Sequence, residues 1–290
     1  MLSSAQMPGL FRVADRRAIV AQRRHTRVTI AQLSMLWVAV LAGVATQVTG
    51  NGSFGFVGVG AYIVLVTVRV YGRISHHEAI WYDNRQLAES LRSLVWRYAV
   101  GGAPFPVDRG EEADHEYSAR VTQLLDDMTY APVPEGPTDV QLITPEMRAS
   151  RARSLDERRT AYGRERVLEQ LQWYAARAKA DGFRGARLDV LFLAASAAAV
   201  FFGLLQAFGV LGINLLGLFA VVAASFYTWQ SQRRYGKQAA TYAAAANQLT
   251  LVHTALGRAH TEQAWAELVD AAESGIAREH TSWRVARAQP

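Results

Sequence analysis

The chain has no cysteine among its 290 residues, and two long stretches, residues 28–68 and 190–232, contain no charged residue. Each absence excludes something. Without cysteine there are no disulfides, no thiolate nucleophiles and no thiolate metal sites, which agrees with soluble parts that face a reducing cytoplasm. The charge-free stretches run 41 and 43 residues in a chain of which 19% is charged. About 20 mostly apolar residues cross a bilayer core at 1.5 Å rise each, so each stretch is expected to hold two short spans and a tight turn. Buried helices of a soluble core are the competing account, but such helices rarely run so far without a charge.

Recognisable catalytic motifs are also missing. There is no GxSxG, no Walker A loop, no HExxH and no EF-hand loop, so no residue is assigned as catalytic, and no cofactor or metal is expected. Gly55, Gly58 and Gly60 imitate part of a dinucleotide fingerprint but lie inside an apolar stretch, where glycine lets helices approach. His76-His77-Glu78 is a weak metal candidate because adjacent residues point to different helix faces; His253, His260 and Glu279-His280 are weaker still. His76 and His77 could instead titrate near neutrality. The predicted spans hold only neutral polar residues: Gln32, Ser34, Thr67, Ser196, Gln206, Asn214 and Ser225. Ion-coupled transport generally keeps an ionisable residue there, so this set counts against a proton-driven pump and permits a poorly selective pore.

Charge is present around these stretches. Arg12, Arg16, Arg17, Arg23, Arg24 and Arg27 precede the first, and Arg69 and Arg73 follow it. Arg177, Lys179, Arg184 and Arg187 precede the second, and Arg233, Arg234 and Lys237 follow it. The predicted outer turns, 46–53 and the break around Gly209, Gly212 and Asn214, carry no charge. By the positive-inside rule both termini and the middle segment are expected to be cytoplasmic. The surplus of +6 and the pI near 9.8 are accounted for by these flanks, so no nucleic-acid partner is invoked. The Arg-rich first 27 residues lack the short apolar core of a signal peptide and read as an amphipathic lead-in facing anionic headgroups.

The remaining segments predict helices. Residues 74–103 carry Ile80, Leu87, Leu91, Leu94, Val95 and Tyr98 at helical spacing, closed by Gly101-Gly102-Ala103-Pro104. A short acidic helix is predicted at 111–128. Proline, only 8 in all, gathers at 130–145 (Pro132, Pro134, Pro137, Pro145) and marks a linker. Residues 146–186 read as helical and highly charged, with Val167, Leu168, Leu171 and Tyr174 as an apolar stripe. An Ala-rich helix follows at 237–259. The last helix, 262–287, carries Trp265, Leu268, Val269, Ile276 and Trp283. No alternating strand pattern appears. The expectation is an all-α integral membrane protein: four transmembrane helices in two hairpins, continuous with a cytoplasmic helical bundle.

The halves echo one another. Val70-Tyr71-Gly72-Arg73 follows the first hairpin and Arg234-Tyr235-Gly236-Lys237 the second, so the chain reads as two tandem units, 1–130 and 146–290, joined by a Pro-rich linker at 131–145. Within the third span Ala195, Ala199, Gly203 and Ala207 form a small-residue face, suited either to packing within the chain or to a homo-oligomer.

The cytoplasmic segments resemble a known family. Ser90-Leu91-Arg92-Ser93-Leu94-Val95-Trp96-Arg97-Tyr98 with Gly101-Gly102-Ala103-Pro104-Phe105 is similar to the segment after the first hairpin of SLATT proteins, the SMODS and SLOG-associating two-transmembrane effectors. Gln170-Leu171-Gln172-Trp173-Tyr174, Lys179, residues 242–249, Trp265 and 279–283 resemble the family in the second half. The resemblance covers nearly the whole chain as two copies. It implies a non-enzymatic effector of a bacterial inner membrane, oligomerising to permeabilise it in a nucleotide-signalled antiphage or conflict system. No fused sensor is recognisable, so a nucleotide-sensing partner would act in trans. Gly101 and Gly102 are candidate hinges, and Trp96, Arg97 and Tyr98 candidate anchors; a plain helix end with core aromatics is the alternative for that cluster. A membrane scaffold that docks a cytoplasmic partner is the rival function, and a small-solute transporter a third.

Overall fold

The computed structural model describes residues 4–130, 132 and 141–288, with side chains described as far as Ile276. Among these residues every regular element is a helix. They are α1 (Gly9–Thr49), α2 (Ser53–Ile74), α3 (His77–Val100), α4 (Glu111–Asp126), α5 (Pro145–Arg151), α6 (Leu155–Tyr162), α7 (Glu169–Ala207), α8 (Leu215–Arg233), α9 (Tyr235–Leu256) and α10 (Glu262–Ala288). A π-helical turn, Gly163–Leu168, joins α6 to α7. Most of the expected linker, including Pro134 and Pro137, lies outside the described residues, as do the side chains of Glu279, His280 and Trp283.

Local chemistry sets the breaks. α1 stops at Gly50, which takes φ +67° and donates its amide to the Thr46 carbonyl at 3.0 Å, the left-handed stop that glycine permits. Asn51 then accepts the Ser53 amide at 2.9 Å and opens α2. α7 ends at Gly209, φ +73°, with Val210 donating to Leu205 at 2.9 Å and Gly209 to Gln206 at 3.0 Å; this pair is a Schellman closure. Asn214 caps α8 through the Gly217 amide at 3.2 Å. The helices after each second hairpin arm begin at non-glycine left-handed residues, His76 (φ 49°) and Arg234 (φ 48°). That conformation costs roughly 1–2 kcal/mol for an L-residue, and it falls beside the repeated Tyr-Gly pairs.

The chain forms two compact units, each assembled from both halves of the sequence. One comprises residues 23–77 and 179–239 and contains the hairpins α1–α2 and α7–α8. Its helices pack closely where side chains are small: the Cβ position of Gly58 lies 3.4 Å from the Ala39 carbonyl, and that of Gly72 lies 2.8 Å from Val28 Cγ1. Polar contacts tie α1 to α8, with Thr29 Oγ1 bonded to Gln232 Oε1 at 2.8 Å. The Asn214 amide donates to Gln47 Oε1 at 3.1 Å. Pairing 29 with 232 and 47 with 214 fixes these helices as antiparallel neighbours.

Three helical stretches, Gly9–Thr49, Ser53–Val100 and Leu155–Ala207, are long and apolar enough to cross a membrane. Only 6–11% of the residues in their apolar windows are buried within the chain, so these surfaces need an apolar surrounding. The fourth expected span, α8, is a 19-residue helix whose last turns, with Thr228, Gln230, Ser231 and Gln232, dilute its apolar character.

The other unit holds Met1–Gln22, Glu78–Ala178 and Ala240–Pro290. Its core joins Phe11 of α1, Leu87, Leu91 and Val95 of α3, Tyr117 of α4, Tyr162 of α6, and Trp265 and Val269 of α10. Burying side chains of this size contributes about 1.5–3 kcal/mol each. Of the predicted apolar positions of α3, Leu87, Leu91, Leu94, Val95 and Tyr98 are buried and Ile80 is half-buried. The stretch 146–186 is broken rather than continuous. α5 ends at Arg151, and α6 restarts from Ser154, whose Oγ accepts the Glu157 amide while Glu157 accepts the Ser154 amide at 3.0 Å, a reciprocal cap.

Candidate functional site

The carboxyl end of α3 gathers the residues singled out in the first half of the sequence. A helix end leaves its last carbonyls without helical partners, and here those of Arg97, Tyr98 and Val100 are each met by a specific donor. Gly101, at φ +73°, donates to Tyr98 at 3.3 Å and Gly102 to Arg97 at 2.7 Å, a second Schellman closure. The Val100 carbonyl accepts from the Trp265 indole at 2.7 Å and from Arg158 Nη1 at 2.7 Å. Arg151 Nη1 donates to the carbonyls of Tyr98 (2.9 Å) and Phe105 (2.7 Å), and its Nη2 donates to Pro106 (2.7 Å). Arg158 is also paired with Glu262. Two buried cations at the negative end of a helix are electrostatically favoured there.

The predicted anchors are held on all sides. Trp96 is buried, with its ring 5.9 Å from that of Tyr162. Arg97 pairs with Asp270 at 2.8 Å and donates to Ser274 Oγ at 2.8 Å. Tyr98 donates to Asp114, packs against Phe105 and Tyr117, and carries Arg151 over its ring at 4.8 Å. Burial and the hydrogen bond to Asp114 push the Tyr98 hydroxyl up to about 12. Burial alone would raise Asp114, but Tyr98 and Arg148 more than offset it and hold that carboxyl below its ordinary value.

The two glycines occupy a filled space. A Cβ on Gly101 would lie 2.6 Å from Val107 Cγ2 and 2.7 Å from Arg158 Nη1, and one on Gly102 would lie 2.3 Å from Val269 Cγ1. Gly101 is thus closed in by Val107 and by Arg158 of α6, and Gly102 by Val269 of α10.

A second polar group lies at the π turn. Arg166 bonds Glu273 with both carboxylate oxygens, at 2.9 and 2.7 Å, and the Tyr162 hydroxyl donates to the same Glu273 at 3.0 Å. All three side chains are essentially fully buried. The sequence reading of 146–186 as highly charged missed that Arg151, Arg158 and Arg166 belong to the core. A signal was available: Arg158, Tyr162 and Arg166 recur every four residues, which places them on one helix face.

The small-residue stripe is used within the chain. Ala195 and Ala199 are buried, a Cβ on Gly203 would lie 2.4 Å from Leu216 Cδ1 of α8, and Ala207 is exposed. No cluster of three metal-ligating side chains occurs among the described residues. His77 has its pKa lowered, first by burial and then by Arg24 and His25.

These features define a helical membrane protein whose second compact unit is a tightly capped helical core. Residues 8–159 match the family described as SMODS and SLOG-associating 2TM effector domain 3, and residues 162–283 match SMODS and SLOG-associating 2TM effector domain 1. The chain belongs to the SLATT family and carries two SLATT domains in tandem. No curated protein and no solved structure matches it.

Proposed function

We propose that this chain is a non-enzymatic effector of the bacterial inner membrane, crossing it four times with both termini in the cytoplasm, and that it permeabilises that membrane as an oligomer. In this reading a nucleotide-sensing partner acting in trans supplies the signal within an antiphage or conflict system. The observation that carries the reading is the pairing of two effector domains, each with a charge-free hairpin, and the three long apolar stretches whose windows bury only 6–11% of their residues within the chain. Such a surface is stable only in lipid or against other copies.

The rival is a scaffold that docks a cytoplasmic partner without opening a pore. One observation favours it: Ala195, Ala199 and Gly203, the surface best suited to self-association, are already engaged inside the chain.

Induction of the full chain in a bacterial host, with dye entry and membrane potential recorded beside growth, tests the proposal. Rapid depolarisation at high expression, where mass action stands in for the partner's signal, reproduced as conductance when the purified chain is reconstituted in liposomes at high protein-to-lipid ratio, is the expected result. Liposomes that stay ion-tight at every protein-to-lipid ratio, together with cells that hold their potential while growth arrests, would transfer the assignment to the scaffold.

A further inference from the structure

Positive charge is distributed very unevenly between the two compact units. The hairpin-bearing unit, residues 23–77 and 179–239, carries eleven of the chain's 31 basic residues and two of its 25 acidic ones, a surplus of nine, leaving the other unit with 20 basic against 23 acidic. The two acids, Asp181 and Asp189, are both in use: Asp181 pairs with Arg184 at 3.0 Å and Asp189 accepts from Gln230 at 2.8 Å. No acid occurs anywhere in residues 23–77.

The contacts bring most of these cations to one end. Gly72 of α2 lies against Val28 of α1, so in antiparallel register Arg27 and Arg24 stand level with Arg73 and with the 76–77 corner. Arg23 and Arg27 share one face of α1 at i,i+4 spacing, and Arg69 and Arg73 share one face of α2. On the other side Thr29 meets Gln232 and Thr26 accepts from Arg233, which continues the basic belt onto α8. Arg23, Arg24, Arg27, Arg69 and Arg73 are exposed, and among the described residues none of them pairs with a carboxylate. At this corner His77 has its pKa lowered, first by burial and then by the neighbouring Arg24 and His25. Like charges this dense need external anions.

The anion's source is indicated by what adjoins the belt. Tyr71 is 59% exposed and Ile74 69% exposed, both beside Arg73, and Phe183 is 71% exposed beside Arg184. An apolar and aromatic rim next to guanidinium groups suits the boundary between acyl chains and phosphate. A free polyanion such as RNA would leave those apolar side chains in water.

We infer that the inner end of the α1–α2 hairpin is a binding surface for the phosphate headgroups of anionic phospholipids, with Arg24, Arg27, Arg69 and Arg73 as its ligands. This surface rests on the membrane assignment above but not on pore formation.

The test uses the full chain in nanodiscs or liposomes of phosphatidylcholine, with brominated phosphatidylglycerol or brominated phosphatidylcholine quenching its tryptophans. The expected result is a preference of about tenfold or more for the anionic lipid, lowered by salt and falling towards unity in Arg24→Gln/Arg27→Gln/Arg73→Gln. A second variant, Arg69→Gln/Arg73→Gln, stands in should the triple variant fail to fold. A charge-matched control, Arg109→Gln/Arg153→Gln/Arg258→Gln, should keep the wild-type preference. An unchanged preference in the belt variants, or an equal loss in the control, overturns the site. Displacement of the lipid by inorganic phosphate at millimolar level, or by RNA, overturns the headgroup as its occupant. Absence of quenching by either brominated lipid refutes the membrane assignment itself, a separate failure.

Discussion

Arg166 and Glu273 face each other in the interior of the helical core, joined by two parallel contacts of 2.9 and 2.7 Å and sealed from solvent. Burial disfavours the charge on Arg166, and the facing carboxylate more than restores it, so the guanidinium is held above its ordinary value. Tyr162 is raised by burial and by the same carboxylate, and stays a neutral donor. One acid on α10 thus holds Tyr162, at the start of the π turn, and Arg166 within it.

Removing either charge alone strands the other in a dry site. Glu273→Ala should cost about 3–5 kcal/mol, whereas the apolar pair Arg166→Met with Glu273→Leu should recover most of it. Unfolding of the detergent-solubilised chain, read as a double-mutant cycle, measures both. A single-variant cost below about 1 kcal/mol would show the pair to be solvated.

The glycines after α3 are required for space as well as for backbone freedom. Gly102→Ala drives a methyl into Val269 and should cost about 1–3 kcal/mol; adding Val269→Ala should restore part of the loss. Gly101→Ala adds left-handed strain to two close contacts and should be worse. Gly55→Ala, where nothing lies within 4 Å, is the neutral control. Thermal midpoints of the four variants rank them, and no rescue by Val269→Ala would mean the Gly102 site relaxes in some other way.

Gly203 separates packing within the chain from self-association. Gly203→Leu collides with Leu216, so it should lower the thermal stability of the isolated chain by about 1–3 kcal/mol, and Leu216→Ala should relieve it. If Gly203→Leu instead leaves the monomer as stable as wild type while abolishing cross-linked oligomers, the stripe is an interface between copies.

The Tyr98–Asp114 contact predicts a pH dependence. The folded pKa of Asp114 lies below its ordinary 3.8, so its stabilisation is complete above that value and is lost as pH falls through the depressed one. Tyr98→Phe should therefore lower the thermal midpoint near neutral pH, and its deficit should shrink under acid conditions. A constant deficit from about pH 6 to pH 3 would assign the tyrosine's role to packing alone.

Much of this protein was legible in its sequence. The two charge-free stretches located the hairpins, because excluding charge from hydrocarbon leaves a one-dimensional trace. Leu87, Leu91, Val95 and Tyr98 announced the buried face of α3 by their spacing, since helical periodicity converts burial into pattern. Gly101-Gly102 signalled the stop of α3, because capping is chemistry between near neighbours. The tandem SLATT domains were recognisable from Trp96, Arg97, Tyr98 and the motifs around them.

The tertiary structure decided what contacts between distant residues alone can decide. Arg151, Arg158 and Arg166 look like solvent-facing charges in a polar segment. They are core residues because the end of α3 offers carbonyls 53 and 58 positions earlier, the loop after it offers Phe105, 46 positions earlier, and α10 offers Glu273, 107 positions later. Nothing local encodes those partners. Whether Gly203 faces Leu216 or another copy, and whether Gly102 faces open space or Val269, also depends on which helix lies opposite. Composition and periodicity therefore determined the helices and their apolar surfaces. The placement of buried charge and of close helix contacts was decided only when the helices met, because a residue's burial cost depends on its partner and not on its position in the chain.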